Sequence, residues 1–132
     1  MEKVEEMKYL IAVPLIIVGI IHLLPVAGVL GARNLGGLYG IALDEPNLTV
    51  LMRHRAVLFG LLGVFLLYAA FDAGLQPLGF IAGFVSVGAF LYLACSTGHL
   101  NAQLWRVVLV DVVATIALVI GAAARFWQAH AA

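Results

Sequence analysis

Long apolar runs separated by short polar breaks set the predicted elements of this chain. Four runs, 9–30, 48–71, 77–95 and 104–126, are each close to the about 20 residues that cross a bilayer as a helix. The first can also stop at Leu24, just before Pro25. None of the runs alternates polar and apolar residues as a barrel strand does. A segment in hydrocarbon must satisfy its own backbone, so helices are predicted. The expected fold is all-α: an integral membrane four-helix bundle forming a single transmembrane domain over residues 1–132.

The connections differ in character. "FDAGLQP" joins the second and third runs; Gly74 can take a left-handed cap conformation and Pro77 suits the first turn of the next helix. "STGHLNAQ" joins the third and fourth, with Gly98 as a helix stop and Asn101 as an N-cap. Between the first and second lies "PVAGVLGARNLGGLYGIALDEPN", too apolar for a solvent loop and too broken by glycine for another span. It reads as an interfacial or re-entrant segment, which is tolerated where protein or a wet cavity satisfies the backbone. "DEPN" then starts the second span, with Asp44 as the expected cap.

Small residues recur at helical spacing: Gly79, Ala82, Gly83 and Ser86; Ala56, Gly60 and Gly63; Ala114, Ala117, Gly121 and Ala124. Such stripes let helices approach closely in lipid, within one bundle or between copies in a homo-oligomer.

Threading the chain up and down gathers most of the unusual polarity on the side of the first and third loops. His22, Arg53, His54, Arg55, His99, Arg106 and Asp111 all fall there. These are the candidate ligand-binding residues. Ionisable groups in a span usually face the bundle or a cavity and find partners. For Asp111 the expected partners are Arg53, Arg55 or Arg106, and for His22 a neutral, hydrogen-bonded state. Arg53 and Arg55 can snorkel to headgroups. His54 points elsewhere, because helix neighbours are separated by about 100°.

Composition sharpens the class. Of 132 residues, 64% are hydrophobic and 11% charged, against the roughly one quarter charged in soluble domains. The bilayer is thus the expected partner. A net charge of zero and the lack of a basic tract argue against nucleic acid. The lone Cys95 leaves no internal disulfide and is expected to be a buried apolar thiol. At the N-terminus, Lys3 and Lys8 are mixed with Glu2, Glu5 and Glu6 and no small-x-small site follows, so a retained first span is expected. Arg33, Arg53, Arg55 and Arg106 on one side nearly balance Lys3, Lys8 and Arg125 on the other; the larger set leans the first loop towards the cytoplasm.

His22, His54 and His99 invite a metal or haem reading, since imidazole is a ligand for both. They lack the His-x-x-x-His spacing that sets two ligands on one helix face, and there is no Cys-x-x-Cys-His. No metal site is predicted from one helix, and the sequence requires no cofactor. A proton relay through His22 and Asp111 is chemically reasonable.

Two resemblances follow. "STGHLN" resembles the Thr-x-Gly-His element of nucleotidyltransferases, and "MKYLIAVPLIIVGIIHLLPV" with "LMRHRAVLFGLLGVFLLYAAF" is similar to short bacterial hydrophobic proteins labelled phosphopantetheine adenylyltransferase. That chemistry uses a soluble alternating strand and helix fold, for which this chain has no strands, so Thr97, Gly98 and His99 read as a helix stop and loop. In its four spans and polar end the chain also resembles the DoxX-like group of small bacterial membrane proteins. That resemblance implies a multi-pass protein of the bacterial inner membrane, in support of redox or small-molecule processes, and assigns no residues. The expected role is non-catalytic or undefined, with binding of a small or amphiphilic ligand, or of lipid headgroups, at the polar end. The alternatives are a membrane redox or proton-transfer subunit using histidines, and an oligomeric channel or carrier protomer.

Overall fold

Apolar side chains cover the outside of this fold as well as its interior. The computed structural model describes residues 1–131, without the side chains of Leu30 and Ala32. The elements are α1 (Glu2–Leu23), a 3-10 segment (Leu24–Leu30), α2 (Ala32–Tyr39), α3 (Pro46–Ala70), α4 (Gln76–Thr97) and α5 (Ala102–Ala131). No strand occurs among the described residues. Four helices, α1 with its 3-10 extension, α3, α4 and α5, are long and apolar enough to cross a membrane. Leu10, Ile17, Leu61, Val85, Ile116 and Val119 all point outwards. A helix apolar on every side belongs in a protein core or in lipid.

The four long helices form a ring. α1 packs on α3 and α5, α4 closes the ring against both, and α1 also meets α4 across the centre. One buried stripe per helix makes the core: Ile11, Leu15 and Val18 of α1 meet Leu66, Phe80, Val87, Ala114 and Leu118. Glycines set the closest approaches. A Cβ at Gly63 would lie 2.8 Å from the Gly19 carbonyl oxygen, and one at Gly121 would lie 2.8 Å from the Phe80 ring. Gly79 and Gly83 face Ala69 and Leu118 of the same chain. These small-residue faces therefore pack inside the monomer.

The segment between α1 and α3 folds over one end of the ring. Leu35 and Tyr39, one turn apart on α2, face inward and pack with Ala56. Arg33, Asn34, Gly37 and Leu38 face outward, so α2 is amphipathic. It closes on Gly40, whose φ of 64° is a left-handed cap.

Several connections depart from expectation. Glu45, not Asp44, caps α3: its carboxylate accepts from the Asn47 and Leu48 amides at 2.9 and 2.7 Å. With Pro46 fixed in the first turn, Glu45 is the residue in the extended cap conformation. Gly74 is not left-handed. Asp72 instead accepts from the Gly74 and Leu75 amides at 2.9 and 3.2 Å and closes the turn without a positive φ. Pro77 lies in the first turn of α4, Gly98 (φ 67°) ends that helix, and Asn101 accepts from the Leu104 amide at 2.8 Å, all as expected. Cys95 is exposed, because Ala94 takes the inward position and the next residue rotates away.

Candidate functional site

The inward stripe of α5 runs Val108, Asp111, Ala114, Leu118 and Gly121, so helical spacing alone turns Asp111 to the interior. The stripe of α1, Ile11, Leu15, Val18 and His22, does the same for His22. On α3 the inward face takes Arg55 and Ala56 and rotates Arg53 and His54 outward. These choices bring His22, Arg55 and Asp111 around one small cavity of about 50 Å³, closed by Tyr39, Phe59 and Ser86. All five helices contribute to it.

His22 is fully partnered. One ring nitrogen, Nδ1, lies 2.8 Å from the Val18 carbonyl oxygen, and the other, Nε2, lies 2.7 Å from Ser86 Oγ. A carbonyl only accepts, so Nδ1 carries the proton and, in the neutral ring, Nε2 accepts from the Ser86 hydroxyl. This bond crosses the ring from α1 to α4. The imidazole also rests against Phe59, at 5.3 Å between centroids. The expected hydrogen bonding of His22 is what these contacts describe.

Arg55 is held by a different set. Its Nη1 donates to Tyr39 Oη at 2.8 Å, and the guanidinium lies over the Phe59 and Tyr39 rings at 4.4 and 5.2 Å. Aromatic faces and a hydroxyl thus keep a cation in an apolar interior. Tyr39 Oη accepts that bond, which leaves its own proton to donate into the cavity.

Asp111 is the exception. Only 8% of it is exposed, yet among the described residues its carboxyl has no hydrogen-bond partner and no cation within 4.0 Å. The expected pairing with Arg53, Arg55 or Arg106 is therefore corrected. Arg55 is taken by Tyr39, Arg53 donates to the Val29 carbonyl at 2.6 and 3.1 Å, and Arg106 is exposed one turn nearer the start of α5. The carboxyl opens instead on the small cavity and on a larger one of about 260 Å³ between α1, α2 and α5. Apolar residues such as Leu24, Leu38 and Val110 line most of the larger space, and Tyr39, Gln103, Arg106 and Asp111 supply its polar atoms. That mixture is usual for a ligand site.

Of the seven sequence candidates, His22, Arg55, Asp111 and Arg106 line these two cavities, whereas Arg53, His54 and His99 do not. His54 and His99 are exposed, His99 with a left-handed φ of 54° in the α4–α5 turn. The histidine trio is not assembled. No cluster of three or more His, Cys, Asp or Glu side chains fit to hold a metal occurs among the described residues. Two members of the site escaped sequence reasoning. Ser86 reads as one more small packing residue, although it is the one hydroxyl or charge in the middle of the third run until Tyr92. Tyr39 lies in a glycine-broken segment whose i, i+4 pairing with Leu35 was its only signal. Set beside known proteins, the chain matches no family model, no curated protein and no solved structure.

Proposed function

We propose that this chain is a multi-pass protein of the bacterial inner membrane that binds an amphiphilic small molecule between α1, α2 and α5, with Asp111 as the polar anchor. Asp111, a largely buried residue whose carboxyl has no protein partner among the described residues and opens on the cavity, carries the reading. Placing an aspartate at the centre of a membrane helix costs about 2.5–3.5 kcal/mol, and such residues normally find partners. Here the carboxyl faces a cavity large enough for a ligand rather than a protein group. The outward apolar faces of the four long helices support membrane insertion. The amphipathic α2 supports placing the segment between the first two spans at the interface, with Tyr39 turned in and Arg33 turned out.

Extraction of protein purified in a mild detergent, followed by mass spectrometry, tests this. Wild type should release close to one amphiphile per chain. Asp111→Leu, which removes the anchor, and Val107→Trp, which fills the cavity, should each release much less, while His99→Ala at the exposed turn should match wild type. A yield independent of Asp111 and Val107 refutes the proposal.

Proton transfer is a second reading, favoured by one observation. His22 and Asp111 face the same cavity of about 50 Å³, which has room for roughly one bridging water. Proton flux in vesicles that disappears in Asp111→Asn would support it, and flux equal to protein-free vesicles would remove it.

A further inference from the structure

The larger cavity does not end at Asp111. Ile21 and Val110 also line a shallow recess of about 230 Å³ that reaches Val113 on the outer surface. One turn further on the same faces, Ile17 and Ala117 belong to a third recess of about 610 Å³, which runs past Pro14. The three succeed one another along the groove between α1 and α5, the third sharing no lining residue with the other two. From Val110 to Ile120 it follows about 15 Å of helix, half of a hydrocarbon core about 30 Å thick. That is the depth occupied by the acyl chain of a single leaflet. The groove walls are mostly apolar, with Glu6 and Tyr9 at the far end, while the head of the groove holds Asp111 inside and Arg106 at the exposed rim; Arg55 shares the adjoining small cavity with Asp111. On one helix the two are separated by about 7.5 Å of rise.

We infer that the occupant is a zwitterionic phospholipid bearing a primary amine, of the phosphatidylethanolamine class. Its ammonium donates to the Asp111 carboxylate, its phosphate meets Arg106, and one acyl chain lies in the α1–α5 groove. Charge complementarity selects this class. An anionic headgroup would satisfy Arg106 and leave Asp111 without a partner. A quaternary choline carries the positive charge but has no N–H to give the carboxylate. Tyr39, whose hydroxyl proton points to no protein acceptor among the described residues, can donate to a headgroup oxygen. The inference rests on the amphiphile-binding reading above and adds the identity of the headgroup.

Native mass spectrometry of lipid-stripped protein in a non-ionic detergent separates the two. The protein is titrated with phosphatidylethanolamine, phosphatidylcholine and phosphatidylglycerol carrying identical acyl chains. Wild type should retain the ethanolamine lipid at about tenfold lower concentration than the other two, the usual scale for one hydrogen bond to a charged group. The nearly isosteric Asp111→Asn should erase that preference. Arg106→Gln, at the exposed rim where folding is least at stake, should weaken all three lipids because they share the phosphate. Equal retention of the three by wild type, or a preference that survives Asp111→Asn, overturns the inference. If none of the lipids is retained while wild type still releases a stoichiometric amphiphile on extraction, the headgroup assignment falls and cavity binding stands. If no amphiphile is released either, both fall.

Discussion

Removing the Ser86 hydroxyl should weaken the bundle by a definite, measurable amount. Ser86→Ala deletes the donor that His22 Nε2 accepts from at 2.7 Å and leaves a ring nitrogen in a site where His22 is 3% exposed. A buried acceptor left without its bond costs about 1–3 kcal/mol. Two features lower the figure. Interhelical bonds between membrane helices average about 0.6 kcal/mol and reach about 1.7. The adjoining space of about 50 Å³ also admits roughly one water, which can take the place of the hydroxyl. We therefore expect a loss of about 1 kcal/mol for Ser86→Ala. His22→Leu loses more, because it also gives up the contacts with Val18 and Phe59. In the double variant the shared bond is counted once, so the coupling energy should be about 0.6–1.7 kcal/mol. Reversible unfolding in mixed micelles, followed by helical circular dichroism, gives all four corners of the cycle. Coupling below about 0.3 kcal/mol, the level at which independent sites add, would refute the α1–α4 bond.

Glycine packing and the α3 cap give further expectations. Gly63→Ala places a methyl 2.8 Å from the Gly19 carbonyl oxygen and should destabilise by about 1–3 kcal/mol, whereas Gly88→Ala meets nothing within 4 Å and should gain up to about 1 kcal/mol of helix propensity; opposite signs in thermal unfolding check the α1–α3 crossing. The amides of Asn47 and Leu48 hold the Glu45 carboxyl below the usual glutamate range. A carboxylate whose folded value is depressed contributes stability above its unfolded value and loses it as pH falls through the folded one. Between about pH 6 and about pH 3, wild type should therefore lose more of its thermal midpoint than Glu45→Gln, and parallel curves would show that the cap is not formed.

The coarse architecture was legible because lipid leaves the backbone few choices. Runs of about 20 apolar residues have to be helices, and short loops with Gly98, Asn101 or Pro77 have to turn them back. His22 and Asp111 were legible for a related reason: a charge or imidazole deep in a span is expensive, so it faces inward. The fate of Arg53, His54 and Arg55 was not legible. Three consecutive residues sweep about 200° of helix surface, and only the register against α1 and α2 decides that Arg55 turns in. The segment 25–47 hid its structure because its five glycines, Gly28, Gly31, Gly36, Gly37 and Gly40, interrupt any clear period, and Tyr39 was lost with it. Asp44 and Glu45 are adjacent carboxylates either of which can cap, a choice settled by Pro46. The Asp111 pairing failed for a different reason. Proximity in span order says which charges share a membrane side, but Tyr39 and Phe59 compete for Arg55 and win.

An experimental structure in lipid nanodiscs would show directly whether an amphiphile sits against Asp111. Elongated density is expected between α1, α2 and α5, with its polar end about 2.7–3.2 Å from the Asp111 carboxyl and Arg55 still bonded to Tyr39. A closed or empty cavity, with Asp111 paired to Arg55 or Arg106, would contradict it.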